Sequence, residues 1–163
     1  MIWNDVMLAQ WASVGGISPF VPELVNPASI DLRWSGRYSF REGGKWSDVQ
    51  LTSVLWMKPG ELYLLDTLEY ITKPPDAAGD IKLKSRVGRR GIEHLHAGFV
   101  EPTFAGTLTL EMTNVLKSLV SLQNGDRLVQ LVLMSMAQVP QKPYSEVGHF
   151  MGQTEPTTAE ERV

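Results

Sequence analysis

Ala97-Gly98-Phe99-Val100-Glu101-Pro102-Thr103-Phe104-Ala105-Gly106-Thr107-Leu108-Thr109-Leu110-Glu111 is the stretch that decides how this chain folds. It opens with glycine and proline punctuation and ends in strict alternation. Successive side chains of a β-strand point to opposite faces. Leu108, Leu110 and Met112 therefore share one face, and Thr107, Thr109 and Glu111 share the other. By default a strand glutamate is solvated. If its face lines a pocket instead, Glu111 is a carboxylate placed to act as a general base.

The same rhythm recurs outward from this stretch. Ile30-Asp31-Leu32-Arg33-Trp34 alternates, and Lys58-Pro59-Gly60-Glu61 is a turn before Leu62-Tyr63-Leu64-Leu65. Arg41–Lys45 reads as another turn, and Asn124-Gly125-Asp126 as a hairpin-type turn before Leu128–Met134. Many short strands at close spacing predict an all-β sandwich or barrel. A helix is predicted over 4–14, capped by Asn4 or Asp5, stopped by Gly15-Gly16 and pinned by Trp3 and Trp11. Pro19, Pro22 and Pro27 then hold an extended segment. Residues 140–163 are rich in Pro, Thr and Glu and lack an apolar period. The expected organisation is one domain over 1–139 and a tail over 140–163 that orders on something else or not at all.

Composition narrows the chemistry. The 163 residues carry 15 Lys and Arg against 18 Asp and Glu, a net charge of −3. That balance argues against a nucleic-acid coat but leaves room for a small phosphorylated ligand. There is no cysteine. Disulfide scaffolds, thiol nucleophiles and Cys-type zinc sites are thereby excluded, and with them the zinc nucleobase deaminases. Nucleophile-elbow, P-loop and His-Glu-x-x-His patterns are absent. No apolar run is of membrane-spanning length, and the start lacks a basic, then apolar leader. A soluble, cytoplasmic protein is expected, with no nucleic-acid or membrane partner.

A second stretch, Lys84-Ser85-Arg86-Val87-Gly88-Arg89-Arg90-Gly91, packs four cations, a serine and two glycines into eight residues. It reads either as a solvated basic loop or as a local anion site, since arginine forks match phosphate oxygens. His94 and His96, two residues apart, are either a partly exposed strand pair or the lining of a base pocket.

Together with Pro27-Ala28-Ser29-Ile30-Asp31-Leu32-Arg33, these stretches resemble the dCTP deaminase branch of the trimeric dUTPase-like superfamily. Further motifs fall in the family's order. They are Lys58-Pro59-Gly60-Glu61 with Leu65, Thr67 and Glu69, then Gly125-Asp126-Arg127-Leu128-Val129-Gln130-Leu131, then Gly152-Gln153 in the tail. The resemblance covers about residues 1–156. It implies a mainly β fold, a dUTPase-like β-barrel or jelly-roll of the β-clip type, with a short N-terminal helix and a C-terminal tail closing on the nucleotide.

It also implies roles. Glu111 falls on the catalytic glutamate that plain dUTPases lack. Ser85 and Arg89 fall on the serine and arginine of the family's basic motif, and Ala97 on the carbonyl that helps hold the nucleophilic water. Lys84, Arg86, Glu101, Phe104, Gln130, Tyr144, His149 and Gln153 fall on substrate-binding positions, the tail residues among them reaching the phosphates. The pattern departs from the family at Lys84 for arginine, Arg86 for serine, Glu101 for aspartate, Thr103 for glycine, and His149-Phe150 for lysine–tyrosine. The implied activity is zinc-independent deamination of dCTP to dUTP and ammonia, with Glu111 as base. Mg²⁺ would arrive on the triphosphate, with no metal site in the protein. A homotrimer with interfacial sites is implied, and dTTP is suggested as an inhibitor. The alternatives are a bifunctional enzyme proceeding through Glu101 to dUMP and pyrophosphate, a dUTPase alone, and a regulatory protein without activity.

Overall fold

The computed structural model describes residues 1–95 and 97–159. Its centre is a curled antiparallel sheet whose main path runs, in spatial order, through Ile92–His94, Thr109–Asn114, Leu62–Thr67, Ser29–Glu42, Arg127–Ser135, Ala77–Leu83 and Phe99–Val100. The fold is mainly β, as expected.

One strand makes the sheet curl. Ser29–Glu42 pairs with Arg127–Ser135 through its first half and with Leu62–Thr67 through its second. Its register shifts between Trp34 and Tyr38. Gly36 lies at that irregularity with φ of +92°, where a Cβ would sit 2.9 Å from the Thr52 carbonyl oxygen. A bulge of this kind bends the strand and raises its twist. Trp34 is completely buried there, and its indole N–H donates to the Arg37 carbonyl at 2.7 Å. Leu32, Leu65, Leu110, Met112 and Leu131 pack into the same core.

Two ion pairs, each joining a fully buried carboxylate to a partly exposed arginine, stitch this region. Glu69, fully buried, accepts from both the backbone N–H (2.7 Å) and the side-chain Nε (2.6 Å) of Arg33. Asp66, also fully buried, accepts from Ser35 and from Arg37. Burial pushes the Asp66 carboxyl upward, and the Ser35 and Arg37 bonds pull it back. The Thr67 and Glu69 positions singled out by the sequence motif are thus structural.

Helix α1 (Asp5–Trp11) is capped as predicted, with Asn4 Oδ1 accepting from the Met7 N–H at 3.0 Å. It is shorter than the 4–14 reading. Beyond Trp11 the backbone widens through Gly15, at φ of +98°, and Gly16 lies against the Trp11 indole where any side chain would clash. Trp3 and Trp11 meet edge to face at 6.3 Å and donate to Ser135 Oγ and the Thr72 carbonyl, which ties α1 to the sheet. Trp46 is half-buried beside Arg41, and Trp56 is exposed, so only three of the five tryptophans belong to the core. No helix among the described residues is long and apolar enough to cross a membrane.

Candidate active site

Glu111 stands within Thr109–Asn114, whose neighbours are Leu62–Thr67 and Ile92–His94. Leu110, Met112 and Asn114 turn inward, as the alternation requires. The Glu111 side chain is 29% exposed, yet its Oε2 is buried and makes no hydrogen bond. His94 Nε2 lies 3.6 Å from that oxygen and is likewise buried and unbonded. That separation exceeds a hydrogen bond. Burying such atoms is costly unless a ligand satisfies them. His94 is thus buried beside Glu111 in the neighbouring strand, and it is not among the residues that line the Glu111 cavity. His96 lies outside the described residues.

The loop before the site hangs on Glu111 itself. The Leu95 N–H donates to the Glu111 carbonyl at 2.9 Å, and Ala97 follows. Ala97 and Glu111 line one cavity of about 240 Å³. Phe99, Phe104 and Leu108 give it apolar walls, and Glu101 supplies a second carboxylate.

The tail closes this cavity. The Gly152 N–H donates to the Ala105 carbonyl (2.7 Å) and the Thr107 N–H to the Gln153 carbonyl (2.9 Å). Gln153 Nε2 donates to the Thr107 carbonyl at 2.6 Å, and the Thr157 N–H to Thr109 Oγ1 at 3.1 Å. Gly106 makes this docking possible, since a Cβ there would lie 3.1 Å from the Gln153 carbonyl oxygen. Helix α3 (Tyr144–Val147) sets Tyr144 against Phe104 at 6.1 Å between ring centres. Tyr144, Phe150, Gln153 and Thr157 all line the cavity. What the tail orders on is this chain's own sheet.

The cations gather elsewhere. Asp31, 1% exposed, accepts from Lys84 Nζ at 2.5 Å, Arg127 Nη1 at 3.5 Å and Asn26 Nδ2 at 2.8 Å. Lys84, Arg86, Arg90 and Arg127 line a separate pocket with Asp31 and Asp126. Helix α2 (Ser85–Gly88) leaves Ser85, Arg86 and its C-terminal neighbour Arg89 exposed. Ser85 and Arg89 neither line the Glu111 cavity nor bond to Glu111. Gln130 lies in the sheet opposite Asp31 and Lys82, accepts from Ser29 Oγ at 3.3 Å, and lines neither pocket. His149 is exposed in the turn after α3, also outside both.

Residues 5–136 match the family model described as dCTP deaminase-like. The chain belongs to that family. Over 178 residues it is 34% identical to the "dCTP deaminase, dUMP-forming" of Rhodococcus erythropolis, covering 96% of this chain and 94% of that one. Over 173 residues it is 35% identical to the protein of the same name from Corynebacterium diphtheriae, covering 94% and 92%. Among solved structures it resembles the 2′-deoxycytidine 5′-triphosphate deaminase of Agrobacterium tumefaciens, with a TM-score of 0.70 at 18% identity. That match covers 81% of this chain but about half, 48%, of the other. The dUTPase from phage phi11 of S. aureus matches with a TM-score of 0.52 at 15% identity, over 77% of this chain and 87% of that one. These two likenesses show the dUTPase-like fold.

Of the residues that the sequence pattern singled out, Glu111, Ala97, Glu101, Phe104, Tyr144 and Gln153 line one cavity. The pattern marked Phe150 only as a departure from the family, and it gave no warning of Phe99 or Thr157, which enter through loop and tail geometry. Asp31 holds Lys84. Lys73 was also unforeseen. It is 3% exposed, its Nζ has no hydrogen bond, and burial pushes its pKa down to about 7 against an opposing pull from Asp76.

Proposed function

We propose that this protein deaminates dCTP hydrolytically and carries the uracil nucleotide on to dUMP and pyrophosphate. The observation that carries the first step is the buried Oε2 of Glu111, which makes no hydrogen bond, in an apolar-walled cavity beside Ala97. Water held by the Ala97 carbonyl adds to C4 of cytosine. Glu111 takes the water's proton and passes it to N3. Glu111 then takes the proton of the new C4 hydroxyl and gives it to the amino group, so that the C4 carbonyl forms as the C4–N bond breaks and ammonia leaves. Phe104 and Tyr144 wall the sugar and base.

The names of the relatives at 34–35% identity favour continuation to dUMP over a stop at dUTP. Glu101 is the carboxylate available for it, lining the same cavity. It would deprotonate a water that attacks the α-phosphorus as the bond to the β-phosphate oxygen breaks.

The cavity, at about 240 Å³, is below the roughly 300 Å³ at which pockets for larger ligands begin. It suits a nucleoside rather than a whole triphosphate. The phosphates then need cations from outside it, and the cations of this chain face another way. We therefore take the working unit to be a homotrimer in which one subunit's Ser85, Arg86 and Arg89 complete another's Glu111 cavity. Tail residues 140–159 serve as the cover.

Mg²⁺ fits as a passenger on the phosphates. Among the described residues no three His, Asp or Glu side chains cluster to hold a metal, and Asp31 is already shared by Lys84, Arg127 and Asn26. Bound there, Mg²⁺ would neutralise phosphate charge. No zinc takes part in this scheme.

The test is incubation with dCTP and Mg²⁺, with ammonia assayed and nucleotides separated by ion exchange. Ammonia with equal dUMP and pyrophosphate is the expected result. Ammonia with accumulating dUTP would remove Glu101 and the second step. Intact dCTP would overturn the proposal.

A further inference from the structure

Thr103 is the one non-glycine among the described residues with a left-handed backbone, at φ of +65°. A β-branched residue is strongly disfavoured there. Strain of this kind persists only where the surroundings hold it in place. What holds Thr103 is the tail. Its Oγ1 accepts the Ser145 N–H at 3.0 Å, from 42 residues away.

Ser145 is the second residue of α3, and the residue at the N-cap is Pro143, which makes no side-chain cap bond. The N–H groups of a helix's first turn have no partner within the helix, and a capping oxygen normally answers the second or third of them. Thr103 supplies that oxygen from the turn that leads into Phe104. The consequence is positional. Thr103 adjoins Phe104, and Ser145 adjoins Tyr144, so the bond sits beside the Phe104–Tyr144 ring contact that walls the cavity.

We infer that Thr103 is a positioning residue, a latch whose hydroxyl caps α3 from outside and holds Tyr144 and the tail over the Glu111 cavity. The inference concerns the closed tail itself and rests on the proposed activity only for its kinetic effect. A cap is worth about a fivefold shift in a local equilibrium. Without it the tail opens more often, and a nucleotide that needs the closed form binds more weakly by the lost fraction.

Three variants of the full chain separate latch from strain. Thr103→Val keeps the β-branched shape and removes the acceptor. Thr103→Gly removes both the acceptor and the strain. Thr103→Ser keeps the hydroxyl. The first readout needs no activity. Digestion by a glutamate-specific protease, followed by mass spectrometry, reports cutting after Glu146 inside α3. We expect Thr103→Val and Thr103→Gly to be cut there about five times faster, and Thr103→Ser near the wild-type rate. The second readout is KM for dCTP: with the closed form predominant, a fivefold rise in the open fraction leaves most of the protein competent, so KM and kcat are both expected within twofold of wild type in all three variants. Wild-type cutting in Thr103→Val would overturn the latch, as would a Ser variant cut as fast as the Val one. Should the protein prove inactive on dCTP, the proteolysis arm still decides the latch while the functional proposal fails separately.

Discussion

Replacing Lys73 with methionine should stabilise the protein, and the gain should vanish with rising pH in a defined window. Lys73 follows the strand Tyr70–Thr72, and its N–H donates to the Phe104 carbonyl at 2.8 Å. Its side chain runs inward over Gly79, where an added Cβ would lie 3.2 Å from Nζ. Burial pushes the amine from 10.5 down to about 7. At about 1.36 kcal/mol per pH unit, that displacement corresponds to about 5 kcal/mol. The sign follows from proton counting. Between pH 7 and 10.5 the unfolded chain holds a proton that the folded chain has released, so stability rises with pH across that interval. Below it both states are charged and the folded state bears the full cost. Lys73→Met has a similar length and no charge to bury. Urea unfolding of both proteins, at one fixed protein concentration and in steps from pH 6 to 10.5, should show the variant more stable at low pH. The difference should shrink by about 5 kcal/mol by the upper end. Other titrating groups are common to both proteins and cancel. Parallel curves across the window would show that the Lys73 ammonium is solvated or paired, and the reasoning would fail.

Glu111→Gln should lower ammonia release at least about 100-fold with dCTP binding retained, because general-base assistance is worth that much or more; steady-state kinetics and a binding titration check it. Mixing Glu111→Gln with Arg89→Met, each inactive alone, should restore partial turnover after subunit exchange, whereas a site complete within one chain would stay dead. Glu69→Gln should cost about 3–5 kcal/mol in chemical denaturation, since it leaves the Arg33 guanidinium without its buried partner.

The alternation of Leu108, Leu110 and Met112 was legible because a strand has period two and only one face can be core. The cap at Asn4 was legible because capping is local. The tail was not, because its docking rests on backbone bonds at Ala105, Thr107 and Gly152, which carry no residue pattern. Nor was the Asp31–Lys84 pair, which joins residues 53 positions apart. Lys73 ran against expectation for a simple reason. Lysines are almost never fully buried, so composition places them outside. The motifs named the members of the site, but not which members one chain could bring together.

That last gap has an electrostatic meaning. Arg89 is exposed on a turn of helix too short to hold itself. Facing water, a cation at 4 Å from developing negative charge is worth about 1 kcal/mol. At an effective dielectric near 20, as in a partly enclosed site, the figure is about 4 kcal/mol. An arginine recruited to the reacting base gains little while it stays solvated. The Glu111 cavity presents the converse, a carboxylate already shielded by Phe104, Tyr144 and the tail but with no cation among its lining residues. Bringing the two faces of neighbouring copies together would remove both deficits at once, desolvating Arg89 and supplying the cavity's missing charge. The cost of burying either charge alone is what would make such a division between subunits workable, because neither half-site would be forced into a desolvated pocket before its counterpart arrives.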